Sequence, residues 1–486
     1  MQLIHIISLL NTKSVLLLNK ERMYKRRNSS VVNVGGVLLG GDNPIRVQSM
    51  ANTSTMDTEG SIAQAKRIVD AGGEIVRFTT QGQREALNMQ AIRDGLRRDG
   101  YTVPLVADVH FNAAVADTAA AIVEKVRVNP GNYVDPGRTF KHLEYTDEEY
   151  ADEIKRIEAK FVPFLNICKE HNTAVRIGVN HGSLSDRIMS RYGDTPEGIV
   201  ESCMEFLRIC VKENFNDVVI SIKASNTVVM VRTVRLLVKV MDSEGMAFPL
   251  HLGVTEAGEG EDGRIKSAVG IGALLAEGIG DTIRVSLSEA PEAEIPVARK
   301  LVAYTEQSAA KRATAKAAIA ADTITLEYDD AVLEDFQLKA AMDAGALLID
   351  GSAHELVLKN PNFSDEIAKN LSDAILQAAR VRFTKTEYIS CPGCGRTLYN
   401  LESTIARIKK AVSEKAKSDA RFNTLKIGIM GCIVNGPGEM ADADYGYVGA
   451  GVGKVSLYRS KECIEKNIPE AEAVDRLMQF IEEDLK

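Results

Sequence analysis

Short apolar runs alternate with amphipathic segments from residue 45 to residue 304. Eight of these runs are rich in β-branched residues and have the length of buried strands, and helical periodicity fills the intervals between them. Strands are predicted at residues 45–50, 75–78, 105–108, 125–128, 174–178, 218–222, 250–253 and 282–287. Strands that alternate with helices form parallel βαβ units. Eight units over this stretch predict an α/β fold, a (β/α)8 TIM barrel, which takes roughly 250 residues.

An open, doubly wound sheet is the structural alternative for the same alternation. That fold usually carries a glycine-rich phosphate loop after its first strand. Here the sequence at the end of the first predicted strand and just after it is MANT, at residues 50–53, which contains no glycine. The pattern therefore favours the closed barrel.

The alternation changes after residue 304. The segments that follow predict a small inserted α/β unit: helices at 308–321, 331–344 and 365–379, and strands at 323–328 and 346–349. The last part predicts a compact α+β domain, with strands at 387–390, 425–430 and 455–458 and helices at 401–417 and at the C-terminus. The predicted divisions are a disordered N-terminal extension (1–30), the barrel (31–304), the insert (305–380) and the C-terminal domain (381–486).

Composition and charge exclude several classes of protein. The 486 residues carry 59 basic and 67 acidic side chains, so the net charge of −8 argues against a nucleic-acid binder. Seven cysteines, an odd and sparse set, indicate a reducing compartment rather than a disulfide framework. The N-terminal apolar runs at 3–10 and 14–18 are too short to cross a membrane. We expect a cytoplasmic protein that begins at Met23, or a plastid protein if the basic N-terminus is a transit peptide.

Two cysteine runs near the C-terminus carry the most specific chemistry. They are CPGCGR at 391–396 and GCIVNGPGE at 431–439, and each follows a predicted strand. Their three thiols, Cys391, Cys394 and Cys432, are one short of a closed zinc site. Three thiolates suit an iron–sulfur cluster whose last iron takes Glu439 or the substrate. Structural zinc with Cys463, predicted in a helix, is the less favoured alternative.

Five cations lie on or at the ends of different predicted barrel strands. A buried charge costs several kcal/mol unless it is paired, so cations that converge at the barrel mouth need a shared anion. A diphosphate fits this requirement, because each charge-assisted hydrogen bond is worth roughly 1.5–3 kcal/mol. The cations are Arg77, Arg127, Arg176, Lys223 and Arg284; nearby neutral donors are Asn132, Asn180 and Ser286; candidate proton-handling groups are Asp108, His110 and Glu256.

These motifs together identify a family resemblance. VADVHF at 106–111, RVNPGN at 127–132, RIGVN at 176–180, LGVTEAG at 252–258 and the run at 431–439 resemble the 4-hydroxy-3-methylbut-2-enyl diphosphate synthases of the non-mevalonate isoprenoid pathway. The resemblance covers about 31–304 and 381–486. It leaves the first thirty residues and the insert outside.

The resemblance implies a substrate, a cofactor and partners. The substrate would be 2-C-methyl-D-erythritol 2,4-cyclodiphosphate, with electrons from ferredoxin or flavodoxin and a [4Fe-4S] cluster in a sulfite-reductase-like C-terminal domain. Positions matching the cluster ligands are Cys391, Cys394, Cys432 and Glu439; positions matching diphosphate ligands are Arg77, Arg127, Arg176, Lys223, Arg284 and Ser286; Glu256 matches a carboxylate near the reacting carbons. A non-redox barrel enzyme on a phosphorylated substrate, with a structural zinc, is the alternative.

The insert departs from both known forms of this family. The short form joins the barrel directly to the cluster domain, and the cluster domain of one subunit caps the barrel of its dimer partner. The plant-type form inserts a whole extra domain, thought to be a spacer within one chain. Residues 306–380 are too long for the first form and short for the second. A homodimer and a self-contained chain therefore both stay open as predictions.

Overall fold

The computed structural model describes residues 24–136, 141–434 and 436–486. The disorder predicted for residues 1–23 and the choice of Met23 as the start lie outside these residues. For residues 24–30 the prediction of disorder is wrong. Arg26 and Ser29 both bind the buried carboxylate of Asp281, each at 2.8 Å, and this shared anion fixes the segment against the barrel.

A short antiparallel hairpin closes the N-terminal end of the barrel. Its strands are β1 (Val32–Val34) and β2 (Val37–Leu39). Their apolar side chains pack against residues of four barrel strands, which are Ile75, Val106, Ala174 and Val219. Strands of three residues are too short to show a periodic pattern, so the sequence did not predict them.

The barrel itself confirms the predicted fold class. Its strands are β3 (Arg46–Met50), β4 (Ile75–Thr80), β5 (Leu105–Val109), β6 (Lys125–Val128), β7 (Ala174–Asn180), β8 (Val218–Lys223), β9 (His251–Leu252) and β10 (Thr282–Ile283). All are parallel, in the order β8-β7-β6-β5-β4-β3-β10-β9. A parallel bridge between Ile220 and Leu250 joins the two ends of this order and closes the ring.

Helices surround the barrel in the intervals that the periodicity indicates. They are α1 (Thr58–Asp70), α2 (Gln83–Arg98), α3 (Ala113–Ala120), α4 (Pro130–Tyr133), α5 (Asp147–His171), α6 (Asp186–Tyr192), α7 (Pro196–Lys212), α8 (Thr227–Ser243), α9 (Gly260–Leu275) and α10 (Glu294–Ala317). Side chains cap several of them. Thr146 and Glu149 form a capping box on α5, which satisfies backbone N–H groups that would otherwise lack partners.

The insert is a two-stranded α/β unit that follows α10. It consists of β11 (Thr323–Glu327), α11 (Leu333–Ile349), β12 (Glu355–Lys359) and α12 (Asp365–Ala378), and its two strands pair in parallel. The strand predicted at 346–349 is wrong, because these residues form the last turn of α11. A short apolar run does not distinguish a buried helix from a buried strand. The strand of this region is β12, where buried and exposed side chains alternate.

The insert and the barrel share one hydrophobic core. Helix α11 lies against α9 so closely that a Cβ on Gly272 would come within 2.6 Å of Met342 Cγ. A Cβ on Gly345 would likewise come within 3.0 Å of the Val269 backbone. Glycine at both positions lets the two helices approach, so the insert is fixed to the barrel wall by apolar packing.

The C-terminal domain has a separate core. Its elements are β13 (Glu387–Ser390), α13 (Leu401–Ala416), β14 (Lys426–Met430), α14 (Gly436–Glu439), β15 (Tyr445–Gly451), β16 (Lys454–Arg459), β17 (Glu462–Pro469) and α15 (Glu470–Asp484). The strands lie in chain order; β13, β14 and β15 are parallel, and the rest pair antiparallel. Cys463 lies in β17 and not in the predicted helix, because its polar neighbours are those of an exposed edge strand.

Candidate active site

A cavity of about 780 Å³, including its open side, lies between the barrel and the C-terminal domain. Its walls are the carboxyl ends of the barrel strands on one side and the two cysteine loops on the other. The barrel contributes the five predicted cations together with Asp108, His110, Asn180, Glu256 and Ser286. The loops contribute Cys391, Cys394 and Cys432. Residues separated by more than 300 positions therefore meet at one site within one chain.

The five cations are all buried at the barrel mouth. Arg77, Arg127 and Arg176 lie on β4, β6 and β7, Lys223 ends β8, and Arg284 follows β10. The carboxyl ends of parallel barrel strands all lie at the same end of the barrel. Residues near these ends therefore converge although they are far apart in the sequence.

Arg127 is held by the most partners. Its guanidinium donates to Asp108 Oδ1 at 3.0 Å, to the carbonyl oxygen of Gly178 at 2.7 Å and to Asn180 Oδ1 at 3.0 Å, and it also contacts His110 Nε2. These contacts use several of its donors and fix its orientation. Asn132, predicted as a donor to the ligand, instead donates to His110 Nδ1 at 3.2 Å and does not line the cavity.

The other cations differ in how fully they are paired. Arg284 makes two hydrogen bonds to Glu294, at 2.8 and 2.9 Å. Among the residues that the structure describes, Arg77 donates to the sulfur of Met50, at 3.1 Å. Nε and Nη1 of Arg176 are buried and have no partner among the described residues. The mouth therefore holds donors that the protein leaves unused.

The electrostatics show the same surplus of positive charge. Burial lowers the pKa of Arg77 to about 10, against the opposing effect of Asp108. Burial, Arg77 and Arg284 hold the pKa of Lys223 well below its usual range. A guanidinium keeps its proton in a protein, so these directions indicate a site that gains from an anion.

Glu256 faces the cavity with an unusual backbone. Its φ of +48° lies in the left-handed region that non-glycine residues rarely adopt, and the residue lines the cavity. Oε2 is buried and has no partner among the described residues. Burial raises the pKa of this carboxyl, although Thr255 and the nearby cations oppose the shift. Glu256 is thus a carboxyl that can hold a proton beside a bound anion.

The two cysteine loops leave the same edge of the C-terminal sheet. Ser390 at the end of β13 pairs with Ile429 near the end of β14, so Cys391 and the Gly431–Cys432 pair start side by side. The Gly431 N–H donates to Cys391 Sγ at 3.2 Å, and the Arg396 N–H donates to Cys394 Sγ at 3.4 Å. Backbone donors on sulfur are the usual surroundings of metal-bound thiolates.

Glu439 is buried beside these loops but does not line the cavity. It ends α14, which packs against the barrel turn at His181–Ser183, and its Oε1 has no partner among the described residues. Over the described ranges, no three histidine, cysteine or carboxylate side chains surround the position of a single metal ion. Three thiols that line one cavity, with a buried carboxylate oxygen beside their loops, are a donor set that suits an iron–sulfur cluster.

The sequence missed several residues that line the cavity, among them Met50, Thr255, Arg396 and Thr397. Arg396 had a signal, because it is the last residue of the first cysteine run. The others are fixed by tertiary packing that no local pattern reports.

Comparison with known proteins decides the family. Residues 29–299 match the GcpE TIM-barrel domain, and residues 387–483 match the GcpE protein C-terminal domain. The chain belongs to the GcpE family. A 4-hydroxy-3-methylbut-2-en-1-yl diphosphate synthase (flavodoxin) from Phocaeicola vulgatus is 53% identical, covering 94% of this chain and 98% of the relative. Proteins of the same name from Bacteroides thetaiotaomicron and Porphyromonas gingivalis are 52% and 45% identical over 95% of the chain. The resemblance identified from the motifs is thereby confirmed.

The Phocaeicola relative is longer than this chain. The alignment with the Phocaeicola protein spans 607 positions, whereas 94% of 486 residues is about 457. About 150 positions of the relative therefore face gaps in this chain. The two GcpE domain models leave residues 300–386 of this chain unmatched between them. Within the described residues, no helix is long and apolar enough to cross a membrane.

Proposed function

We propose that this GcpE-family chain converts 2-C-methyl-D-erythritol 2,4-cyclodiphosphate to (E)-4-hydroxy-3-methylbut-2-enyl diphosphate in isoprenoid precursor biosynthesis. The reaction takes up two electrons and two protons, opens the ring by breaking a carbon–oxygen bond to phosphate, and releases the hydroxyl as water. The main support for this proposal is one cavity. It is lined by the buried cations of the barrel mouth and by three cysteines of the same chain.

The barrel mouth is assigned the diphosphate. Arg77, Arg176 and Lys223 have few protein partners, whereas Arg127 and Arg284 are held in place by carboxylates. The first group would donate to the phosphate oxygens, and the second would add fixed positive charge, with Ser286 as a neutral donor. Binding energy from the phosphates orients the distant ring carbons toward the cysteine loops.

The cysteine loops are assigned a [4Fe-4S] cluster with Cys391, Cys394, Cys432 and Glu439 as ligands. The N–H donors on two sulfurs and the unpartnered oxygen of buried Glu439 support this assignment. When bound, such a cluster supplies single electrons and an iron that can accept an oxygen ligand. Zinc in its place would supply no electrons for the reduction.

We assign Glu256 the role of the acid that donates a proton to the departing hydroxyl group. It lines the cavity, has a free oxygen and is buried, so it holds a proton more readily than an exposed glutamate. Asp108 suits a different task, because its carboxylate is committed to Arg127. His110 contacts Arg127 and Asn132 and therefore supports the same arrangement.

Flavodoxin is the proposed electron donor, since the curated relatives carry it in their name. The relatives are bacterial, so we place the reaction in the cytoplasm. The substrate is a small molecule, and no nucleic acid or membrane partner is proposed.

The test is metal analysis and turnover of protein purified without oxygen. We expect about four irons and four sulfides per chain, and turnover of the cyclic diphosphate with reduced flavodoxin. Cys391→Ser should abolish both, while Cys463→Ser, in an edge strand outside the cavity, should leave both unchanged. Stoichiometric zinc without sulfide would overturn the proposal and favour the non-redox barrel enzyme.

A further inference from the structure

The backbone of Arg396 is part of the cysteine loop, whereas its side chain contacts the barrel. It lies two residues after Cys394, and its N–H donates to the sulfur of that cysteine at 3.4 Å. Its guanidinium crosses the boundary between the two domains, where Nη2 donates to the carbonyl oxygen of Asp108 at 3.2 Å. Nη1 lies 4.0 Å from Asp108 Oδ2. The residue is only 7% exposed and lines the cavity.

Arg396 hydrogen-bonds to the backbone of Asp108, the residue whose carboxylate orients Arg127. Asp108 Oδ1 accepts a hydrogen bond from Arg127 at 3.0 Å, and Arg77 and His110 are also close enough to affect it. Burial raises the pKa of Asp108, but Arg127, Arg77, His110 and Arg396 together hold it well below its usual range. The Asp108 carboxylate thus interacts electrostatically with three arginines, which are Arg127, Arg77 and Arg396.

This charge balance connects the anion site to the position of the loop. One negative charge does not neutralise three guanidiniums, and a buried surplus of positive charge is costly. A bound diphosphate supplies the missing negative charge and lowers the cost of bringing Arg396 to the barrel. Without the anion, moving Arg396 away with its loop relieves repulsion among the arginines.

We propose that Arg396 is a positioning residue that couples occupancy of the anion site in the barrel to docking of the cysteine loop over it. The inference rests on the proposed function, because the anion is taken to be the diphosphate of the substrate. Arg396 acts through Asp108 and the shared charge, and is assigned no contact with the reacting carbons. Because Arg396 is part of the cysteine loop, the position of this loop depends on whether the barrel holds an anion.

The test uses the holoenzyme and inorganic pyrophosphate as the probe. Hydrogen–deuterium exchange follows the amides of residues 393–398, and calorimetry gives the Kd of pyrophosphate. The variants are Arg396→Gln, which removes the charge, and Arg396→Lys, which keeps the charge but not the planar fork. Arg407→Gln is the matched control, since it changes an exposed arginine of the same domain. Iron and sulfide content shows whether each variant retains its cofactor.

In the wild type, pyrophosphate is expected to slow exchange in the loop. In Arg396→Gln it should bind about tenfold more weakly or worse, the cost of a lost charge-assisted contact, and the loop protection should disappear. KM for the cyclic diphosphate should rise similarly while kcat changes less, because saturating substrate restores docking. Arg396→Lys should lie between the two, and Arg407→Gln should match the wild type.

Loop protection and Kd equal to the wild type in Arg396→Gln would overturn the inference. If that variant loses its iron and sulfide, Arg396→Lys decides: retention of the cofactor with partial coupling supports the inference, and loss of the cofactor there assigns a purely structural role. A wild type that does not turn over the cyclic diphosphate contradicts the proposed function itself. Wild-type turnover with an unchanged KM in Arg396→Gln contradicts only the inference.

Discussion

The insert and the C-terminal domain are both small α/β units, yet they meet the barrel in different ways. The insert shares the hydrophobic core of the barrel, with α11 packed onto α9 through Gly272 and Gly345. The C-terminal domain keeps a core of its own. It meets the barrel through polar side chains, among them Arg396, through a backbone bridge between Ala257 and Ser390, and through a close approach of the Gly182 and Gly438 backbones.

This difference assigns the two units different tasks. Continuous apolar packing is strong and does not respond to ligands, so the insert is part of the scaffold. Polar contacts across a cavity are weaker, and their strength depends on the charge that the cavity holds. The C-terminal domain is therefore the unit whose docking a bound anion controls. Along the chain, the insert connects the barrel to the C-terminal domain.

The strongest test of the polar interface is Arg127→Met. The change leaves the buried carboxylate of Asp108 without its main partner and removes a fixed charge from the mouth. Breaking a buried ion pair costs about 3–5 kcal/mol, and the same loss of free energy in binding the transition state corresponds to about two to four orders of magnitude in kcat/KM. Steady-state kinetics measure it. Arg208→Met, which alters a surface arginine paired with Glu201, is the control and should retain wild-type kinetics.

Gly438→Ala tests the contact between the domains with a single methyl group. A Cβ on Gly438 would lie 1.7 Å from the carbonyl oxygen of Gly182, so α14 must move away from the barrel. We expect turnover to fall at least about tenfold, as a misplaced group costs this much or more, while each domain keeps its fold by circular dichroism. Gly451→Ala adds the same methyl group where the space is open and should be neutral. Wild-type turnover in Gly438→Ala would show that the two backbones do not meet in solution.

Met342→Ala tests the apolar interface. Met342 is fully buried against Gly272, and truncating a buried methionine costs about 2–5 kcal/mol. Because the core is shared, calorimetry should show the barrel and insert losing stability in one transition. Val357→Ala, at an exposed position of β12, is the control. A separate, earlier transition for the insert would contradict the shared core.

The smallest effect is expected at the connection between the three units. Glu387 at the start of β13 accepts hydrogen bonds from Lys266 of α9, at 3.2 Å, and from Arg380 after α12, at 2.7 Å. Glu387→Gln should cost about 1.5–3 kcal/mol at neutral pH, the worth of hydrogen bonds to a charged group. Chemical denaturation measures it, with the exposed Glu402→Gln as control.

The pH dependence of that effect has a definite sign. Burial raises the pKa of Glu387, but Lys266 and Arg380 outweigh it, and the net shift is downward. A carboxylate with a lowered folded pKa stabilises the protein above its unfolded pKa and loses that contribution as the pH falls through the folded value. The stability difference between wild type and Glu387→Gln should therefore shrink in acid. A difference that grows as the pH falls would contradict the ion pair.

The sequence predicted the elements that have a clear local pattern, and it missed the features that depend on packing between elements. The predicted strands at 125–128 and 387–390 have the bounds of β6 and β13, because short buried strands between helices leave a clear pattern. The cations of the barrel strands were found for the same reason. The C-terminal residues of α11 were misassigned, since a helix buried on all sides has no polar face to reveal its period. The reach of Arg396 to Asp108 depends on how two domains dock, which no local pattern contains.

The central claim is that the barrel and the cysteine loops of one chain form one active site. Mixing two inactive variants tests it directly: Arg127→Met, with a damaged barrel mouth, and Cys391→Ser, with a damaged cysteine loop. If each chain closes on itself, the mixture stays inactive at every concentration. Recovery of turnover, up to about a quarter of the wild type as statistical pairing in a C2 dimer allows, would show that the loops of one subunit serve the barrel of another and would contradict the account.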